Sequence, residues 1–367
     1  MNHVTDNRNN RYDSMKDMRD KQKKVLLCAN LGSSENTSSG QAIKSIFVRD
    51  ELVKSFGESE VSIHNTNSGV YSFVKLMLNI LRYLGDNKNV VIMPAENGIR
   101  IIAPLLYCVN RFFHRRLFYV VIGGWLPRFL KSKPFLEKVL SRFDGIFVET
   151  KMMKALLEQE ELNNVYVMPN FKRLDAVYES KTIDTSIKPV KLCTFSRVMK
   201  EKGIEDAICA VVELNKEKPE CQFELHIFGN IAEEQKDWFR SIEETFPPFV
   251  KYKGSVSYNK SVDVLQNYFA LIFPTYYEGE GVAGTLIDAM AAGIPSIASD
   301  WRYNKEIIKD GVNGLIFPVR SINEMKNKIL LLYNNNELYE KIRKASRKEY
   351  EKYSPENVMQ ILISKMQ

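Results

Sequence analysis

Histidine, cysteine and tryptophan are scarce in this chain: four, five and three residues among 367. The five cysteines (Cys28, Cys108, Cys193, Cys209, Cys221) form no Cys-x-x-Cys pair and have mostly apolar neighbours. They read as reduced thiols of a cytoplasmic protein, which sets aside a zinc site or a disulfide framework. No Asp-x-Asp and no other metal-ligand spacing occurs. There is no run of about 18 apolar residues, so no helical membrane span is expected. Residues 1–23 lack the apolar stretch of a signal peptide and read as a polar, disordered extension.

The remaining composition is that of an ordinary globular protein, 44% hydrophobic and 26% charged. Its length predicts two domains. The formal net charge of +7 is unevenly spread: residues 1–170 hold 24 Lys+Arg against 17 Asp+Glu, and the rest hold 28 against 28. Residues 101–142 concentrate eight cations (Arg111, Arg115, Arg116, Arg128, Lys131, Lys133, Lys138, Arg142) beside one acid, Glu137.

Short apolar runs alternate with helical patterns along the chain. "KVLLCANLG", "VSIH", "NVVIMP", "LFYVVIGG", "GIFVET" and "NNVYVMPNF" read as buried strands of the first half. After a polar linker at 173–188, "KLCTFS", "FELHIFG", "VKYKG", "ALIFPT" and "PSIASD" repeat the pattern. Such alternation predicts parallel sheets covered on both faces, hence two doubly wound α/β domains with ligand ends at the strand carboxyl termini. The expected division is 24–172 and 189–348, with 349–367 forming a last helix that could cross back to the first domain.

The stretch "EGEGVAGTLIDAMAAGIPSIASD" (278–300) joins a strand to an apolar helix. Thr285 followed three residues later by Asp288 fits a capping box, and Gly293 with Pro295 would end the helix. Gly279, Gly281 and Gly284 precede that helix, where free amides and the positive dipole end favour a phosphate. Such a loop is either a tight turn with a cap or an anion cradle.

With "AMAAGIPSIASD" behind it and Glu280 and Asp288 eight apart, the segment resembles the nucleotide-sugar-dependent glycosyltransferases of the GT-B fold, specifically the retaining family 4. The family has Glu at the second acidic position, so Asp288 is one methylene short. "FSRVMKEKGIEDAI" resembles the Arg and Lys segment of that family, with Arg197 and Lys202 five apart after a strand. "VYVMPNF" and "VKYKGSV" resemble its domain junction and the strand-glycine element of its nucleotide pocket, in the same order along the chain.

The resemblance implies a metal-independent retaining transferase with a nucleoside diphosphate sugar, foremost a UDP-sugar, as donor and no further cofactor. Arg197 and Lys202 would hold the diphosphate and Glu280 the sugar. Asp288, Ser196, Gly254, Gly40 and the Gly281, Val282, Ala283, Gly284 and Thr285 backbone would complete the donor site. Many relatives carry a first-domain His at a strand end, where this chain has Gly123 and Gly124.

The basic and apolar stretches 71–84, 100–117 and 125–142 have the composition of interfacial segments, which enter the headgroup layer and meet anionic lipid. They point to a lipid-linked saccharide acceptor on the inner face of the plasma membrane, as in capsule, exopolysaccharide or lipopolysaccharide synthesis. No nucleic-acid module is present. A catalytically silent partner subunit that keeps the fold stays open as a second reading.

Overall fold

The computed structural model describes residues 22–32, 40–67, 69–173, 183–220 and 222–367. Most of the expected extension and linker, the 33–39 loop and Cys221 lie outside them.

The first sheet holds β1 (Lys23–Ala29), β2 (Val61–Asn65), β3 (Asn87–Ile92), β4 (Arg116–Val120), β5 (Gly145–Val148) and β6 (Val165–Val167), in the order β2-β1-β3-β4-β5-β6. The second holds β7 (Val190–Phe195), β8 (Phe223–Phe228), β9 (Val250–Tyr252), β10 (Ala270–Phe273), β11 (Ser296–Ser299) and β12 (Leu315–Phe317), in the order β12-β11-β10-β7-β8-β9. Every pairing is parallel. The continuous apolar runs follow from this, since strands such as β5 and β10 are buried on both faces. β12 was missed: three residues after a turn carry too little pattern to stand apart from the helices around them.

The helix Pro355–Met366 leaves the second half and packs Val358, Met359, Leu362 and Ile363 into the core beneath β1, together with Val25 and Leu27. Arg116 donates to the carbonyls of Lys365 and Gln367 at 3.1 and 2.7 Å, holding the end of that helix. The favourable meeting of a cation with a helix C-terminus explains this part of the basic cluster. Other members also have internal partners. Arg115 donates to Leu84 O, Lys133 caps Phe129 O, and Arg128 pairs with Glu278 at 2.9 Å. Arg111, Lys131, Lys138 and Arg142 are exposed.

In each sheet the strand order reverses once, between β1 and β3 and between β7 and β10. Loops diverge at such a switch point, leaving a crevice at the strand carboxyl ends. In the second sheet those two strands are the ones followed by Arg197 and Lys202 and by Glu280.

Candidate active site

Close backbone packing fixes the loop after β7. A Cβ at Gly229, at the end of β8, would lie 1.7 Å from Ser196 O, so only glycine lets the two strand ends meet. Ser196 and Arg197 are thereby held at the sheet's edge, Ser196 half-buried and Arg197 exposed. The chain then makes the turn Lys200–Lys202 and a left-handed Gly203, with φ 72°. A Cβ at Gly203 would lie 2.3 Å from Pro274 O. That contact brings Lys202 against the loop after β10, and Tyr276 N donates to Glu201 O at 2.8 Å to complete the seam.

Lys202 and Glu280 meet directly. Nζ lies 2.6 Å from Oε2, with the two side chains 11% and 10% exposed. Thr275, fully buried, donates its hydroxyl to the same carboxylate oxygen at 2.9 Å. Lys202 Nζ and the Arg197 guanidinium both lie over the Tyr277 ring, at 4.9 and 5.9 Å from its centre. These separations are within cation–π range, so one aromatic ring gathers two cations beside one carboxylate. Thr275 and Tyr277 escaped the sequence reading. The only trace of them is "PTYY", which resembles any strand-to-loop exit.

The glycine turn is built against the first domain. A Cβ at Gly124 would lie 2.1 Å from Glu280 O, and one at Gly123 would lie 3.0 Å from Gly279 O. Gly124 N donates to Gly279 O at 3.2 Å, and Tyr303 OH donates to Gly124 O at 3.1 Å. The departure from a first-domain His thus has a steric cause, because two backbones touch where a side chain would stand. Gly281 faces Glu149, whose Oε2 would be 2.1 Å from an added Cβ. Val282 N donates to that same oxygen at 2.8 Å. The expectation that the 281–284 amides are all open to an anion is corrected at Val282: a protein carboxylate already takes that donor.

The helix Gly284–Ala292 begins after an extended Ala283 that has no side-chain cap. Thr285 therefore lies inside the first turn, and its hydroxyl has no hydrogen-bond partner. The capping box read from Thr285 and Asp288 does not form, because the apolar face of the helix sets its start and leaves Asp288 in the interior. Asp288 is buried and paired with Lys172, Nζ to Oδ1 at 3.4 Å. Burial pushes its carboxyl above the usual range, against the opposing pull of Lys172 and Ser261. Lys172 also donates to Ser261 Oγ at 2.9 Å and to Tyr258 O. The sequence placed Lys172 at the end of the first domain and gave it no role.

The remaining donor-site expectations fall at strand and helix ends. Gly254 has φ 74° and accepts from Gly229 N at 2.9 Å, next to the Ser196 contact. Gly40 opens the helix Gly40–Phe56, exposed, with nothing near its Cβ position. The structure brings Arg197, Lys202 and Glu280 together, and it seats Asp288 deeper, against Lys172. Among the described residues no group of three His, Cys, Asp or Glu could hold a metal.

Residues 178–349 match the family described as Glycosyl transferases group 1. The poly(ribitol-phosphate) alpha-N-acetylglucosaminyltransferase of Staphylococcus aureus is 25% identical over 235 residues, 63% of this chain and 45% of that protein. The GtfA subunit of the UDP-N-acetylglucosamine–peptide N-acetylglucosaminyltransferase of Streptococcus gordonii is 30% identical over 199 residues, 52% of this chain and 37% of that protein. The chain spans about half the length of the curated relatives it matches, or less. Among solved structures, Anabaena HepE in complex with UDP and glucose aligns with a TM-score of 0.72 at 13% identity, covering 94% of this chain and 99% of that one. Residues 178–349 therefore constitute a glycosyl transferases group 1 domain, within a chain whose two Rossmann-like halves have the GT-B fold.

Proposed function

We propose that the protein transfers a sugar from a nucleoside diphosphate sugar, foremost a UDP-sugar, to a hydroxyl acceptor with the anomeric configuration kept, as in family 4. The carrying observation is the convergence of Arg197, Lys202 and Glu280 at the switch point of the second sheet. Departure of the diphosphate dominates such a reaction, and fixed cations stabilise its growing charge without a reorganisation cost. Arg197 is exposed and poised over Tyr277 to meet that group, and Lys202 neutralises it from the inner side. Gly284 and Thr285 add helix N-terminal amides. These groups would perform the neutralisation without a metal ion.

Glu280 acts as a sugar-positioning carboxylate. Thr275 and Lys202 fix its rotamer, which suits a hydrogen-bond acceptor better than a nucleophile. Ser196 and Gly254 border the nucleotide, and Asp288 approaches the ribose only through the Lys172 pair. In this reading residues 24–172 form the acceptor half and 189–348 the donor half, with Gly40 above the donor. Both relatives are named for transfer of N-acetylglucosamine, and the Streptococcus gordonii protein for its UDP form, so UDP-N-acetylglucosamine is the first donor to test, with UDP-glucose beside it.

The acceptor is proposed to be a lipid-linked saccharide at the inner face of the plasma membrane, in synthesis of a capsule, exopolysaccharide or lipopolysaccharide. Support comes from the helix Val70–Asp86. Val70, Tyr71, Val74, Leu78 and Leu81 are exposed on it, Leu78 at 81%, with Lys75 and Arg82 alongside. Phe112 and Phe135 are exposed near Arg111, Lys131 and Lys138. Rings and aliphatic groups beside cations suit an anionic bilayer surface. No described helix is long and apolar enough to cross a membrane.

One observation favours a silent partner subunit instead: Val282 N, Lys202 and Asp288 all have protein partners. A panel of UDP-, GDP- and other nucleotide sugars, scored by thermal shift and by hydrolysis without acceptor, separates the readings. Stabilisation by UDP and turnover of a UDP-sugar that Glu280→Ala abolishes support the transferase. No stabilisation by any nucleotide would overturn it.

A further inference from the structure

Glu149 directly follows β5 with its side chain 3% exposed, and the transferase reading gives it no role. Its two carboxylate oxygens serve different domains. Oε1 is 2.5 Å from Lys44 Nζ, on the helix Gly40–Phe56 of the same domain, and Lys44 also donates to Val121 O at 3.3 Å. Oε2 accepts from Val282 N in the glycine turn of the other domain. The neighbouring residues return the contact in reverse. Lys151 N and Met152 N, opening the helix Lys151–Glu158, each donate at 2.8 Å to the carboxylate of Glu306 from the second domain. Each domain thus lends a carboxylate to free amides of the other.

A buried charge is tolerated only when paired and hydrogen-bonded on its remaining sites. Glu149 meets both conditions, but only while the turn stays docked: withdrawing the second domain would strip Oε2 of its donor and open the Lys44 pair to water. The turn that Glu149 holds begins at Gly279 and Glu280, whose carbonyls are the ones seated on Gly123 and Gly124. Its position therefore sets where the Glu280 carboxylate stands.

We infer that Glu149, with Lys44 as counter-ion, is a positioning residue for Glu280, fixing the sugar-side carboxylate only when the two domains are clasped. The chemical consequence rests on the transferase reading. The clasp itself does not.

The test combines amide hydrogen exchange with steady-state kinetics on the full chain, for wild type, Glu149→Ala, Glu149→Gln and, as a rim control, Glu306→Gln. Glu149→Ala is expected to speed exchange across 279–284 at least tenfold while β10 is unchanged. It should lower kcat at least thirtyfold and leave the Kd for UDP within threefold. Glu149→Gln keeps an oxygen for Val282 N and should fall between, and Glu306→Gln should leave the 279–284 exchange near wild type. Unchanged exchange in the turn, or a lower Tm with normal kcat in the folded fraction, would overturn the inference. So would a loss confined to UDP affinity. If Glu149→Ala does not fold, Glu149→Gln is read by the same criteria. If the wild type turns over no nucleotide sugar, the transferase reading fails and the exchange result alone decides the clasp.

Discussion

The two faces of the cleft are built on opposite principles. The second-domain face presents charged side chains on glycine-shaped loops: Arg197 and Lys202 over Tyr277, and Glu280 against Thr275. The first-domain face presents backbone at Gly123 and Gly124, with the Lys44 and Glu149 pair buried beneath. Charged side chains line one side and closely packed main chain the other. At Gly123 and Gly124 the two faces meet main chain to main chain, because no side chain stands between them.

Substitutions that blur this division should cost most where a buried charge loses its partner. Lys172→Met removes the counter-ion of Asp288, and breaking a buried pair from one side costs about 3–5 kcal/mol. Chemical denaturation should show that loss, and Asp288→Asn in the same chain should recover part of it. Arg197→Ala attacks the charged face alone. It should lower kcat about 100- to 1000-fold, the scale of removing one stabilising donor, with Tm nearly unchanged.

Gly124→Ala attacks the main-chain face. The added methyl meets Glu280 O, so either the cleft opens or the turn shifts, at a cost of about 1–3 kcal/mol for overpacking. Small-angle scattering should show a larger radius of gyration and initial rates should fall, whereas Gly40→Ala, where nothing lies near the Cβ position, should leave the radius of gyration unchanged.

The smallest effect is a dependence on pH shared by both domains. Burial lowers the pKa of His64 in the first and of His226 in the second, with Ser72 and Glu224 respectively pulling the other way. A histidine kept neutral in the fold makes the unfolded state bind more protons below about pH 6.5, so stability rises with pH up to that value and is lost as pH falls below it. Tm measured from pH 7.5 to 5.5 should drop, and His226→Gln should flatten the drop.

How much could be read from residues alone follows the same divide. Eleven of the twelve strands sit where apolar runs placed them, because buried parallel strands leave uninterrupted stretches. That Arg197, Lys202 and Glu280 converge was legible through the segments that carry them, which resemble those of the family in the same order; their role toward a donor stays a proposal. Glu149, Lys44 and Lys172 were not legible: a single charge within an apolar stretch reads as a surface position until a partner more than 75 residues away is known. The glycines at 123, 124 and 281 were visible as glycines, but what each must avoid belongs to the other domain. The Thr285 cap failed for a local reason, since an apolar helix docked on a sheet starts where its buried face starts.

The central claim is that the donor diphosphate is held at the switch point between β7 and β10. Calorimetric titration of UDP and of uridine into wild type and Arg197→Ala tests it most directly. A charge-assisted contact is worth about 1.5–3 kcal/mol, so UDP should weaken roughly ten- to hundredfold in the variant while uridine binds as before. Equal weakening of both ligands, or none of either, would contradict the account.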